Sequence, residues 1–137
     1  MGRVINIESA GRERNQLVRG IVVALRELAA QTKPDQTTRD LLAFITLSLE
    51  SISDTIEPSV AAWEKRGYWV KADRFRMDWQ WTGNAAKQLR DALLADDWAK
   101  VAGLMAEIGG RLTRVQVSPR HRLGTPWQGA WERLNHR

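Results

Sequence analysis

The residue types that do chemistry are few in this sequence, and their spacing is wrong for most of it. Both histidines, His121 and His136, fall near the C-terminal end, and neither is read with a carboxylate at ligand spacing. The Glu-x-x-His pairs that hold di-metal centres in helical bundles are missing, so neither a metal nor any other cofactor is expected. The absence of cysteine removes thiol nucleophiles, thiolate metal sites and disulfides. "AEIGGRLTR" has neither the spacing nor the Lys-Ser/Thr ending of a phosphate-binding loop, and no Gly-x-Ser-x-Gly elbow occurs. Asp73 and Asp78 lie beside Lys71, Arg74 and Arg76, where ion pairs one helical turn apart account for them. The chain therefore reads as a binder and not as an enzyme, with no catalytic residue assigned.

What the sequence does concentrate is aromatic rings and positive charge. "AAWEKRGYWVKADRFRMDWQW", from Ala61 to Trp81, holds Trp63, Trp69, Trp79, Trp81, Tyr68 and Phe75 among five basic residues. Such a stretch can be core, a surface on which bases stack while Arg and Lys hold the backbone, or a protein hot spot. Drawn as one helix, Tyr68, Ala72, Phe75, Trp79, Thr82, Ala86, Leu89 and Leu93 share a face in the rhythm of a bundle helix. Trp63, Val70, Met77 and Trp81 gather on nearly the opposite side, with Trp69 between the faces near Lys65 and Arg76. A helix apolar on two sides is either central in its bundle or covered by something else. The candidates for that cover are the chain's own C-terminal helix, a second copy, another protein, or a nucleic acid strand.

The charge is uneven. Of 21 Lys+Arg and 16 Asp+Glu, six arginines and Glu132 alone fall in residues 111–137, which accounts for the whole net charge of +5. Arginine suits bidentate phosphate or carboxylate contacts and stacking, although a compositional bias of the source yields the same excess. The arginine-rich segment can lie on phosphate, on an acidic partner or on the bundle's own acidic edge.

Helices must position these groups. Ser9 is expected to cap a first helix reaching about Gln31, with a stripe of Leu17, Ile21, Leu25 and Leu28. Thr32 and Asp35 are expected to cap a second, with Pro34 in its first turn and Leu41, Ile45, Leu49, Ile52 and Ile56 on one side. A third covers most of residues 59–95, with Pro58 marking a kink or a new start, Gly67 a candidate interruption, and "TGN" at 82–84 weakening the pattern. Asp96 is expected to cap a fourth, running from Trp98 to about Arg114. A linker, "VQVSPRHRLG", then leads to a short helix bearing Trp127, Trp131 and Leu134.

These elements predict an all-α fold: an antiparallel four-helix bundle with a short C-terminal helix after an arginine-rich linker. With 137 residues, 43% apolar and 27% charged, the chain is one domain's worth, residues 115–137 being a basic extension on or beside the bundle. The longest apolar run, "LLAFITLSLESI", is too short and too polar to span a membrane, no secretory signal is read, and a cytoplasmic location is expected. The expected function is a non-catalytic accessory or scaffold protein docking on a larger protein or nucleoprotein assembly. Its expected contacts are Trp63, Arg66, Trp69, Arg74, Arg76 and Trp81, with Arg120 and Arg122 from the tail. The expected partner is another protein or a second copy, and neither a membrane nor a metal. Direct single-strand or backbone-directed nucleic acid binding is the alternative. An apolar ligand held among the tryptophans, Tyr68, Phe75 and Met77 is a third reading.

Overall fold

The structure, a computed structural model, describes residues 7–136, and every regular element among them is α-helix. α1 (Ile7–Ala29) and α2 (Gln36–Asp54) correspond to the first two stripes. They pack extensively on each other across a short loop, as an antiparallel helical hairpin does. Asp35 caps α2: its carboxylate accepts the Thr38 N–H at 3.1 Å, and the Thr38 hydroxyl donates to the Lys33 carbonyl at 2.8 Å. Pro34 thus precedes the cap instead of opening the helix, and Ser9 lies inside α1, not at its cap.

α2 is the centre of the fold. It packs against α1, against α5 (Trp81–Leu94) and against the terminal helix. A helix covered on several sides must be apolar around most of its circumference, which is why Leu41 and the adjacent Leu42 are both buried with Ile45, Leu49 and Ile52. α5 approaches through Gly83, where a Cβ would stand 2.6 Å from the Ser53 hydroxyl oxygen. α6 (Trp98–Arg111) packs on α5 and sends Val101, Leu104 and Ile108 into the same core. The all-α bundle expected from the stripes is the architecture observed.

The single helix expected over residues 59–95 is instead α3 (Ile56–Lys65), α4 (Trp69–Trp79) and α5. Pro58 sits in the first turn of α3, where it has no N–H to donate and its ring excludes the carbonyl four residues earlier. α2 accordingly ends at Asp54, and α3 begins after Thr55 alone. Gly67, at φ 81°, closes α3. Its N–H donates to the Glu64 carbonyl and that of Tyr68 to the Trp63 carbonyl, both at 2.9 Å, a Schellman ending that reverses the chain. α4 and α5 meet at Gln80, two residues before the Thr82 hydroxyl donates back to the Trp79 carbonyl at 2.7 Å. Such back-bonding bends helices. The α5–α6 junction differs from expectation by one residue. Asp96, at φ 54°, ends α5, and Asp97 is the cap, accepting the Lys100 N–H at 3.2 Å.

α3 and α4 therefore form a helical hairpin, here called the arm. It has its own small core of Ile56, Val60, Trp63, Ala72 and Phe75, separate from the main cluster and joined to it through Trp79.

The segment after α6 is pinned to the bundle. The Arg26 guanidinium donates to the Val117 carbonyl at 2.8 Å, and Val117 and Trp127 are buried. α7 (Ala130–Asn135) is held on α2 at both ends. The Asp40 carboxylate accepts the N–H groups of Gly129 and Trp131 at 3.2 and 3.0 Å. Arg90 pairs with both oxygens of Glu50 and donates to the Leu134 carbonyl at 3.2 Å. Arg39 lies 5.7 Å from the Trp131 ring centroid. The C-terminal tryptophans thus bury against α2 and its neighbours and do not cover the aromatic stretch.

Candidate docking site on the arm

The Schellman turn at Gly67 decides the fate of each aromatic in the stretch. With the chain reversed there, Trp63 on α3 faces Phe75 on α4, ring centroids 4.7 Å apart and planes at 85°. This edge-to-face pairing is favoured by the ring quadrupoles. Trp63 is 8% exposed, and the Lys71 ammonium stands 5.0 Å from its ring centroid. Trp63, expected as a contact residue on an outer face, is therefore core. The wheel misplaced it because a wheel assumes one continuous helix. Trp81, expected beside it, packs partly buried against the main cluster with the Arg111 guanidinium 5.3 Å from its ring. Tyr68, expected in the core, is 54% exposed at the corner.

The basic residues divide as well. The Arg76 Nε and Nη2 donate to the two oxygens of Glu57 at 3.1 and 3.3 Å, tying α4 to α3. The guanidinium holds the Glu57 carboxyl below its usual range, and the carboxylate raises the Arg76 pKa in turn. Arg76 is thus a brace within the arm, not a free contact, and its partner is Glu57 across the hairpin and not an aspartate one turn away. Arg66 and Arg74 are exposed, as are Lys65 and Lys71. None of these four forms an ion pair among the described residues.

What remains open is a patch around the start and outer flank of α4. Trp69 is 63% exposed, Val70 75% and Met77 64%, and apart from Tyr68 the only other exposed large apolar residue in the described chain is Leu94. A shallow depression of about 910 Å³ lies there, lined by Gly67, Tyr68, Trp69, Val70, Lys71 and Arg74. Tyr68, Trp69 and Val70 are consecutive, and successive side chains on a helix turn by about 100°. A single packing neighbour cannot cover all three. α4 has α3 along one side, a brief contact with α5 at its end, and the α1 residue Arg14 against its Phe75 and Trp79 rings. Of the outer side expected from the sequence, Trp63, Val70, Met77 and Trp81, only Val70 and Met77, seven residues apart and so on one face, stay exposed.

The tail arginines belong elsewhere. Arg122 borders a different groove, with Glu13, Gln16, Leu17, Phe44, Leu123 and Pro126. Arg120 is exposed in a turn where its N–H donates to the Ser118 hydroxyl at 3.1 Å. The arm and the tail are thus two surfaces rather than one continuous site. Nor do Tyr68, Phe75 and Met77 line a common interior cavity, since Phe75 is packed on Trp63 while Tyr68 and Met77 face solvent.

Among the described residues, no three carboxylate or imidazole groups gather as a metal site, and no helix is long and apolar enough to cross a membrane. His121 accepts the Leu123 N–H at Nδ1. The expectation that His136 lacks a carboxylate neighbour fails: Glu132, one turn earlier on α7, lies 4.0 Å away.

Sequence reading missed Arg14. This α1 guanidinium is buried, donates to the Thr55 hydroxyl at 3.2 Å, and stands 4.5 Å and 5.7 Å from the ring centroids of Phe75 and Trp79. Burial pushes its pKa down, and Glu13 opposes that shift. Arg14 therefore latches the base of the arm to α1 through ring faces and one hydroxyl. Its clue was position: Ala10, Arg14, Val18 and Ile21 make a single helical stripe with a charge in it.

No protein-family model, curated protein or solved structure matches this chain, so its role rests on the physical chemistry of these surfaces.

Proposed function

We propose that this protein is a non-catalytic docking module that joins a larger assembly through the outer flank of α4 at the end of the arm. The observation that carries this reading is the concentration of exposure: Tyr68, Trp69, Val70 and Met77 stand open on one short helix and its leading corner. Monomeric proteins rarely leave a contiguous apolar patch uncovered, and one rimmed by polar groups marks an interaction site. Covering a Val or Met side chain is worth up to about 1.5–3 kcal/mol, and tryptophan, tyrosine and arginine dominate the energetics of protein interfaces. Trp69, Arg66 and Arg74 remain as contact residues. Trp63 and Arg76 support the surface from behind, and Trp81 packs on the main cluster instead. Arg120 and Arg122 offer a second, separate basic surface.

The test is recovery of partners from native cells by the wild-type chain and by Trp69→Ser/Val70→Ser, each with and without nuclease. A partner held by the wild type, resistant to nuclease and lost from the double variant is the expected result. Equal retention by both proteins overturns the reading.

A further inference from the structure

Building on the docking reading, we propose that the occupant of this flank is an acidic amphipathic helix of a protein partner, a carboxylate meeting Arg74 and its apolar residues covering Val70, Met77 and Trp69. The pattern along α4 sets the geometry. Val70, Arg74 and Met77 step by four and three and so share one face. At a rise of about 1.5 Å per residue the two apolar anchors lie about 10 Å apart with the cation between them. A matching surface needs two apolar groups at that separation and a carboxylate between, which a second helix presents at i, i+3 or i+4, and i+7.

Charge selects the sign. Residues 64–78 hold Arg76, paired with Glu57, and four further cations, Lys65, Arg66, Lys71 and Arg74, against Glu64, Asp73 and Asp78. All four cations are exposed and none is neutralised by an ion pair among the described residues. Asp73 acts on Arg76, which is already committed to Glu57. A partner of opposite sign steers toward such a surface, and one of like sign is repelled. That disfavours a second copy of the chain, because a two-fold pairing through this flank sets the same cations against each other.

The kinds of apolar residue separate the remaining partners. A nucleic acid strand could stack on Tyr68 and Trp69 but would leave Val70 and Met77, which have no ring, without a matching contact. A lipid surface calls for an unbroken apolar face, and here Asp73 and Arg74 interrupt it within a turn of the tip. A protein helix uses every feature: the rings as anchors, Met77 as an adaptable filler and Arg74 as a charge clamp.

The experiment titrates the full chain against a synthetic acidic helix of about 20 residues, long enough to hold helical structure, with leucines seven apart and glutamates between. A scrambled peptide of the same composition, oligodeoxythymidylate and phosphatidylserine vesicles are the comparison probes. Binding is read by anisotropy of the labelled probe, and engagement of α4 by the emission difference between wild type and Trp69→Phe. The acidic helix should bind at least about tenfold more tightly than its scrambled form, with Arg74→Glu and Met77→Ser each weakening it about tenfold or more. A peptide with lysine in place of glutamate should regain affinity for Arg74→Glu. Equal affinity for the scrambled peptide, or no regain by the lysine peptide, overturns the proposal. Tighter binding of the oligonucleotide or vesicles with a Trp69 response overturns the proposal and leaves the docking reading standing. Absence of a Trp69 response to every probe, together with partner recovery unchanged by Trp69→Ser/Val70→Ser, overturns both.

Discussion

The bundle around α2 and the α3–α4 arm are built from similar residues, yet they solve burial in different ways. In the bundle, α1, α5 and α7 pack on α2 while α6 packs on α5 and α1, and Leu41, Leu42, Ile45, Leu49 and Ile52 of α2 are shut off from water. In the arm, two short helices have chiefly each other. Their shared interface takes Trp63, Ala72 and Phe75, and the outer flank of α4 is left with Val70 and Met77 exposed. Two helices can bury only the stripe between them; a third is needed to cover the rest. A region held by one interface and a brace also opens more readily than one held by several, which suits a surface that must accept a partner.

That contrast can be broken most severely in the bundle. Leu49→Ala removes a fully buried side chain from the centre of α2, and unfolding free energy by urea denaturation should fall by about 3–5 kcal/mol. Phe75→Ala makes a comparable deletion in the arm, but there the loss should be confined: amides of α3 and α4 should lose hydrogen-exchange protection while those of α2 and α5 keep theirs. Equal loss of protection in both regions would show that arm and bundle unfold as one unit.

A smaller effect is expected where the tail meets α2. Asp40→Ala leaves the N–H groups of Gly129 and Trp131 without their acceptor, and should cost about 1–3 kcal/mol, seen as early exchange of α7. Arg14→Ala removes the latch at the base of the arm and should loosen α3 and α4 by about 0.5–2 kcal/mol in the same measurement. Arg14→Met, which keeps contact with Phe75 and Trp79 and discards a buried cation, should retain arm protection better than alanine does.

The smallest effect is set by pH. The Glu57 carboxyl is held down by Arg76, so its stabilisation is fully present above the ordinary glutamate range and disappears as pH falls through the lowered folded value. Glu57 is largely and Arg76 partly solvent-exposed, so the change is slight and screened by salt. Acidification should raise arm exchange relative to the bundle, and Arg76→Gln should abolish that response.

How much was legible follows from these same places. The stripes of α1, α2 and α6 record local periodicity, and the all-α class follows from them, whereas the short helix expected to bear Trp127 begins only at Ala130. Gly67 was recognisable as an interruption because a residue at positive φ favours glycine. Pro58 was legible as a kink or a new start, without a choice between them, and the break at Gln80 was not, since the outcome at a proline and a Thr82 back-bond each depend on how the neighbouring helices pack. One missed reversal at Gly67 moved Trp63 from a surface to a core. Arg14 and Asp40 were hidden because a charged residue in sequence carries no sign of the rings or N–H groups that will meet it.

By itself, then, the sequence determined that this chain is helical, that its rings and cations crowd residues 61–81, and that its net charge lies at the C-terminal end. These depend on residue type and on spacing over a few turns. Which rings were buried, which arginines were engaged and which flank stayed open depended on contacts such as Trp63 with Phe75, Arg76 with Glu57 and α7 with α2. Periodicity specifies a face of one helix, but burial is a relation between two elements, and only the folded chain brings both together.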